Sequence, residues 1–462
     1  MLLFFIVLYL MVTLLIGWWA SRRVKTTHDF VVAGRKLPML IAGTALFATW
    51  FGSETIMGAS SEFISHGLIG VVEDPLGAAL CLLLIGLFYA RPLYRLNILT
   101  FNDFYRDRFG REAELISSVF NVLSYFGWIA AQMVALAILL EVIADIPRFA
   151  GVIIVSLVVM FYTYIGGMWA VSIADVMQTI VIILGLAILG YVVVVEAGGV
   201  GRLIKSTPPG FFNIAPKGDF YSIVHYVAAW ITIGLGSIPQ QDIFQRVNSA
   251  RSERAAVHAS YFSGLLYVSI AFIPLGIGLG AKLLYPELLE GDTQMVIPMM
   301  VLEHGNLFTQ VLLLGALLSA ILSTSSGAIL APATILGENI IRPLIPGLQD
   351  AQMLRIMRYA VVLITLISAG LAISSNNIYD LVAQASSLSL VSLFVPLTAG
   401  LYLKSANNSG ALWSMILGMG VWIYFEIFPV EIPSLILGLL ASMLGMLIGM
   451  INRLEAVLPE KR

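Results

Sequence analysis

Apolar runs of about twenty residues recur along the whole chain, separated by short polar stretches. Wound as a helix, a run of about that length crosses the roughly 30 Å hydrocarbon core of a bilayer. Inside that core each backbone N–H and C=O must find its partner within the protein, which leaves a bundle of helices as the architecture these runs can build. Thirteen spans can be drawn, at about 1–20, 37–66, 68–90, 115–143, 150–165, 169–195, 221–245, 260–284, 305–335, 359–376, 381–403, 411–427 and 432–452. Composition agrees, because 59% of the 462 residues are hydrophobic and 11% are charged, against about 45–50% and about 25% in soluble proteins. The excess apolar surface needs lipid against it, so a soluble enzyme, a nucleic-acid binder and a disordered scaffold are all excluded. A lone cysteine, Cys81, permits no intrachain disulfide, and five scattered histidines give no metal or haem spacing. No Gly-x-Ser-x-Gly or His-Glu-x-x-His motif is present, so catalysis is not expected.

The basic residues then orient the spans. When the loops are assigned alternately to two sides, twenty of the 25 Lys and Arg fall together, among them Arg35, Arg95, Arg108, Arg246, Arg251 and Lys404. The other side holds Arg148, Arg202, Lys205, Lys217 and Lys282. The rich side is cytoplasmic by the positive-inside rule, which puts the N-terminus outside and the C-terminus inside a plasma (inner) membrane. The first run lacks a basic start and has its positive charges behind it, as an uncleaved helix does. With only a short tail after Asn452, no soluble domain and no obligate protein partner are expected. The loop 196–220, with Pro208, Pro209 and Pro216, reads as a cap.

Two spans are interrupted. The second contains Phe51-Gly52-Ser53-Glu54, and the seventh contains Gly234-Leu235-Gly236-Ser237-Ile238-Pro239-Gln240-Gln241-Asp242. Proline removes a helix bond and glycine tolerates irregular backbone. Either span alone reads as a kinked helix. Together they open two blocks of five spans with opposite starting direction, 37–196 and 221–403, flanked by 1–36 and 411–462. Paired interrupted helices in inverted halves mark a transporter's midplane site, where free carbonyls hold cations and half-helix N-termini attract anions.

Four segments resemble the sodium:solute symporter family, which includes sodium–galactose, sodium–proline and sodium–choline transporters. The segment from Tyr162 through Gly166-Gly167-Met168-Trp169 to Asp175 and Gln178 is similar to its Gly-Gly signature. Gln241 to Val247 resembles its Gln-Arg segment, and Ala320 to Ser326 its sodium-site helix. The broken second span supplies the fourth. The resemblance implies an all-α polytopic protein with a LeuT-type five-plus-five inverted repeat and extra helices at both ends, importing a small solute with Na⁺ by alternating access. It implies sodium ligands at the carbonyls of Ala48, Phe51 and Ala320 and the hydroxyls of Ser323 and Thr324. Neutral oxygens suit a hard cation, although such hydroxyls also bond back to their own helix. A second sodium beside Asp175 and Ser326 lacks one hydroxyl, because Gly327 stands in its place; Asp175 can equally pair with Arg246 or Arg251.

Acids at depth bear on the solute. Glu54, Glu73, Asp74 and Asp175 lie within apolar segments, with Glu62 nearer a helix end, whereas all the bases fall in loops or at helix ends. Intramembrane carboxylates are functional candidates, balanced by protons, Na⁺ or a cationic ligand. Trp50, Tyr125 and Trp128 add aromatic faces that suit ammonium groups, or that simply pack. The run Ala48-Thr49-Trp50 and Trp128 look like the choline-transporting branch. That branch places tryptophan after the Ile-Pro of the second break, where this chain has Gln240, a residue suited to a carboxylate or amide. A small amine, amino acid or related zwitterion is the expected solute. The same scaffold coupled to protons through Glu54 or Glu73, and a transporter-like sensor, are the alternatives.

Overall fold

The computed structural model describes residues 26–375 and 377–457 and scattered positions between 4 and 22, so the expected span 1–20 lies largely outside the described residues. Among the described residues there is no strand, and only Leu37 and Ala250 form an isolated bridge. The principal helices are α1 (Met39–Trp50), α2 (Ala59–His66), α3 (Ala78–Leu84), α4 (Arg111–Ala144), α5 (Arg148–Glu196), α6 (Phe220–Gly236) and α7 (Gln241–Ser249). They continue with α8 (Glu253–Leu284), α9 (Leu307–Ile335), α10 (Asp350–Ser374), α11 (Ile378–Ser389), α12 (Asn408–Ile427) and α13 (Ser434–Val457).

Nine helices among the described residues are long and apolar enough to cross a membrane, or ten if the bent pair α6–α7 is one span. The thirteen drawn from sequence include 1–20, which lies largely outside the described residues. A break leaves α1 short, and 54–96 forms one apolar run although its backbone departs from helix at Gly67 and Asp74. The helix α5 also folds back on itself. A straight helix of its 49 residues would be about 74 Å long. Its first residue, Arg148, pairs with Asp292 at 3.1 Å, and its last, Glu196, accepts a 2.9 Å bond from Tyr285. Those partners are seven residues apart, at most about 25 Å of chain. The two ends of α5 therefore lie near each other, and its arms run antiparallel.

Segments assigned to one side by their loops meet in the structure. Arg35 bonds to Asn97 and to the Tyr94 carbonyl, Arg251 N–H donates to Leu37, and Arg108 donates to the Gly400 and Leu403 carbonyls. At the opposite end Lys282 donates to the Ile64 carbonyl. The helices α4, α9 and α11 are the most buried, while α10, α12 and α13 present broad apolar faces outward. The pair α12–α13 packs through glycine, since a Cβ on Gly445 would lie 2.5 Å from the Trp413 carbonyl oxygen. Small residues let helices approach in this way where lipid supplies no hydrophobic drive.

Candidate functional site

Three departures from helical geometry meet at the centre. The first ends α1: Phe51 leaves the helix (φ −80°, ψ 71°), and the Gly52 N–H turns back to the Trp50 carbonyl at 2.9 Å. Helical bonding resumes through a π-turn over Glu54–Gly58. The freed carbonyls find partners elsewhere. Ala48 accepts from the Thr324 hydroxyl of α9 at 3.1 Å, and the Trp50 carbonyl lies 3.0 Å from the Tyr267 hydroxyl of α8. The second separates α6 from α7, whose axes differ by 48° across Ser237-Ile238-Pro239-Gln240. A Cβ on Gly236 would come within 2.4 Å of the Ser386 carbonyl oxygen, so only glycine allows α6 this close to α11. The third is Asp74, extended at φ −137°, ψ 126° within Val72–Gly77.

The three breaks border a small cavity. Trp50, Glu54 and Asp74 line it from the first block with Trp128 from α4, and Ser237 and Gln240 from the second break. Tyr267, Val382, Ala385 and Ser386 complete most of the remaining wall, and no lysine or arginine is among the lining residues. Glu54, 3% exposed, accepts from the Trp128 indole at 3.1 Å and the Gln132 amide at 2.9 Å. Asp74 accepts from Tyr267 at 2.8 Å through one oxygen, and its second oxygen is buried with no partner.

The other expected solute residues lie elsewhere. Tyr125 does not line the cavity; it donates to Asp242 and accepts from that residue's backbone N–H. Trp50 donates to the other Asp242 oxygen at 3.2 Å, so one carboxylate ties α1, α4 and α7 together beneath the cavity. Glu73 also misses the cavity, because consecutive side chains of an extended segment point to opposite sides. A separate polar hollow is lined by Glu62, Asp292, Asn377 and Tyr379 among others. Tyr379 also accepts from the Asp74 N–H at 3.3 Å, and so stands between hollow and cavity.

Two readings of charge need correction. Arg246 is no surface base: it is 1% exposed inside α7, donating to the Ala45 carbonyl at 3.3 Å and the Asp242 carbonyl at 3.2 Å. Asp242 is a buried acid that the sequence count of acids at depth omitted. Of the expected sodium ligands, Ala48 and Thr324 are in contact, Phe51 has the irregular backbone and Ala320 is buried on α9. The Ser323 side chain lies outside the described residues. Asp175 and Ser326 are both buried. They belong to helices in antiparallel register, with Gln178 donating to Ser319 at 2.7 Å and Gly185 facing Leu313. Gly327 leaves the space that the Arg246 guanidinium takes, since a Cβ there would lie 2.6 Å from Nη2.

Comparison with known proteins bears on this geometry. The profile of the sodium:solute symporter family matches residues 30–418. The chain belongs to the sodium:solute symporter family. It is a symporter that couples solute import to sodium. It is 27% identical over 435 residues to high-affinity choline transporter 1 of Drosophila melanogaster, covering 90% of this chain and 69% of that one. It is 28% identical over 482 residues to an osmoregulated proline transporter of Bacillus subtilis (strain 168), covering 95% and 93%. In fold it resembles a Na⁺-coupled sialic acid symporter in a substrate-bound, outward-open state, with a TM-score of 0.82 at 20% identity, covering 98% and 97%. It also resembles Mhp1, a nucleobase-cation-symport-1 transporter, at 0.60 and 16%, covering 93% and 95%. The LeuT-type fold expected from the sequence is the fold of this symporter.

Proposed function

We propose that the symporter carries a small zwitterion bearing an N–H ammonium group, of the amino-acid kind, in the cavity between the two breaks. The observation that carries this reading is the unpartnered Asp74 oxygen in the cavity wall, with no basic residue among the lining groups. A buried acceptor left unmade is costly, and an ammonium N–H satisfies it. A quaternary ammonium, which has no N–H, satisfies charge but not the hydrogen bond. The indoles of Trp50 and Trp128 supply faces for the cationic end. Gln240 caps the start of α7, where amide and helix dipole favour the solute's carboxylate. Similarity to the proline transporter supports the zwitterion; similarity to the choline transporters supports a cationic end.

Sodium sits, in this reading, among the Ala48, Phe51 and Ala320 carbonyls and the Ser323 and Thr324 hydroxyls. It draws α1 and α9 together and orders the break beside the solute. Asp175 and Ser326 form a possible second ion position. The inverted blocks 37–196 and 221–403 rock about this centre, with the N-terminus outside and the C-terminus in the cytoplasm. The test is uptake into proteoliposomes, with proline, glycine betaine, choline and other labelled solutes offered under separately imposed Na⁺ and proton gradients. Sodium-driven accumulation of an N–H zwitterion is the expected result. Accumulation driven by protons and indifferent to Na⁺ overturns the sodium assignment, and preference for choline overturns the N–H argument.

A further inference from the structure

Glu54 faces the cavity, and by position it would be grouped with Asp74 as a solute residue. Its surroundings divide the two. Asp74 lines the cavity and has one buried oxygen without a partner, whereas both oxygens of Glu54 accept bonds from Trp128, Gln132 and Ser53. No base pairs with it among the ion pairs of the described residues. A buried carboxylate without a counter-charge is expensive.

Oxygens gather at the break. Gly52 lies there, and Gln132 Oε1, Glu54 Oε2 and Thr324 Oγ1 each come within 3.3 Å of the point a Cβ on Gly52 would take, so a side chain on that residue would crowd all three. Three side-chain oxygens, from α4, the π-turn and α9, thus converge on the one residue there that has no side chain. Gln132 is fully buried, and its Oε1 has no donor. Its amide donates through Nε2 to Glu54 at 2.9 Å, and the carbonyl oxygen points elsewhere. An orphaned carbonyl oxygen, a carboxylate and a hydroxyl on three elements make an oxygen set for a small hard cation.

We propose that Glu54 and Gln132 bind sodium together with Thr324 at Gly52, so that Glu54 serves the ion and Asp74 serves the solute. The assignment rests on the sodium reading of Thr324 and extends that ion's surroundings to a charged ligand on the cavity side. It also gives coupling a short route. The same carboxylate holds the Trp128 indole, a wall of the solute cavity, so ion binding and the solute wall share one group. Coupling of this kind is reciprocal, each ligand tightening the other by the same factor.

The test is direct ²²Na⁺ binding to the purified symporter in nanodiscs without solute, with melting in Na⁺-free buffer to confirm that each variant folds. Glu54→Gln and Gln132→Leu should each raise the half-saturating Na⁺ by about 10–100-fold, the range seen when a metal site loses a supporting group. Asp74→Asn should weaken solute binding. If Glu54→Gln and Gln132→Leu bind Na⁺ as the parent does while Thr324→Ala does not, the sodium position stands and this proposal falls. If Thr324→Ala also binds as the parent does, the sodium position itself is wrong, and the proposal falls with it.

Discussion

At the scale of single residues, the division between neighbours Glu73 and Asp74 sets how much of the site could be read in advance. Acidity at depth marked both, but the extended backbone at Asp74 sends only one of them to the cavity. That backbone depends on contacts with Tyr379 and Tyr267, which are 305 and 193 residues away in sequence. Trp50, Glu54, Trp128 and Gln240 were legible because each is unusual in a membrane span. Tyr267 was not, because one tyrosine in an apolar helix carries no signal. Asp242 was missed because Gln241-Asp242-Ile243-Phe244-Gln245-Arg246 reads as the polar end of a span until Trp50 and Tyr125 are seen to close over it. Asp74→Asn preserves shape and the Tyr267 contact but removes the charge. Losing one member of a buried charged pair costs about 2–5 kcal/mol, so the solute concentration for half-maximal uptake should rise about thirtyfold or more. A rise of less than threefold in proteoliposome uptake would place the cationic end elsewhere. Asp242→Asn keeps the shape but leaves one acceptor oxygen for the Trp50 and Tyr125 donors, and it removes the charge beside Arg246. Transport should fall with little change in equilibrium solute binding, as separate uptake and binding assays would show, because the carboxylate ties helices beneath the cavity rather than lining it.

At the scale of elements, local sequence located the helix breaks, while packing decided what the breaks are for. Glycine and proline predicted irregular backbone at Gly52 and Pro239, but the close approach of α6 to α11 at Gly236 appears only when the Ser386 carbonyl is in place. The long helix α5 shows the converse. Two spans were drawn from hydropathy, and they stand as the antiparallel arms of one helical segment. The C-terminal pair α12–α13 lies away from the site and tests whether its role is structural. Gly445→Leu would force side-chain atoms into the Trp413 backbone. Overpacking of this kind costs about 1–3 kcal/mol, so the melting temperature in detergent should fall, while Na⁺ binding by the remaining folded protein keeps its affinity. A loss of Na⁺ affinity at constant melting temperature would tie these helices to the ion site instead.

At the scale of the whole molecule, the low charge content that first marked a membrane protein resolves into two populations. Bases such as exposed Arg95 and half-buried Arg108 sit at one end of the bundle with their acidic and carbonyl partners, and acids such as Glu54, Asp74 and Asp242 sit at its centre. The energy such a layout can transmit is sufficient for uptake. One charge crossing 100 mV supplies about 2.3 kcal/mol, and a tenfold Na⁺ gradient adds about 1.4 kcal/mol, enough to concentrate a neutral solute a few hundredfold per coupled ion. That gain is useful only if the ion enters from the outside, so direction of insertion matters as much as the site. The fold places Lys404 at the end where Arg108 meets the Leu403 and Lys404 carbonyls, and puts Lys217 in the loop ahead of α6. Cys81 is buried, so a Cys81→Ser background offers a clean start for labelling. In intact cells, Lys217→Cys should react with a membrane-impermeant maleimide, and Lys404→Cys only after the membrane is opened. The reverse pattern would invert the orientation and require the two breaks to present sodium to the cytoplasmic side first.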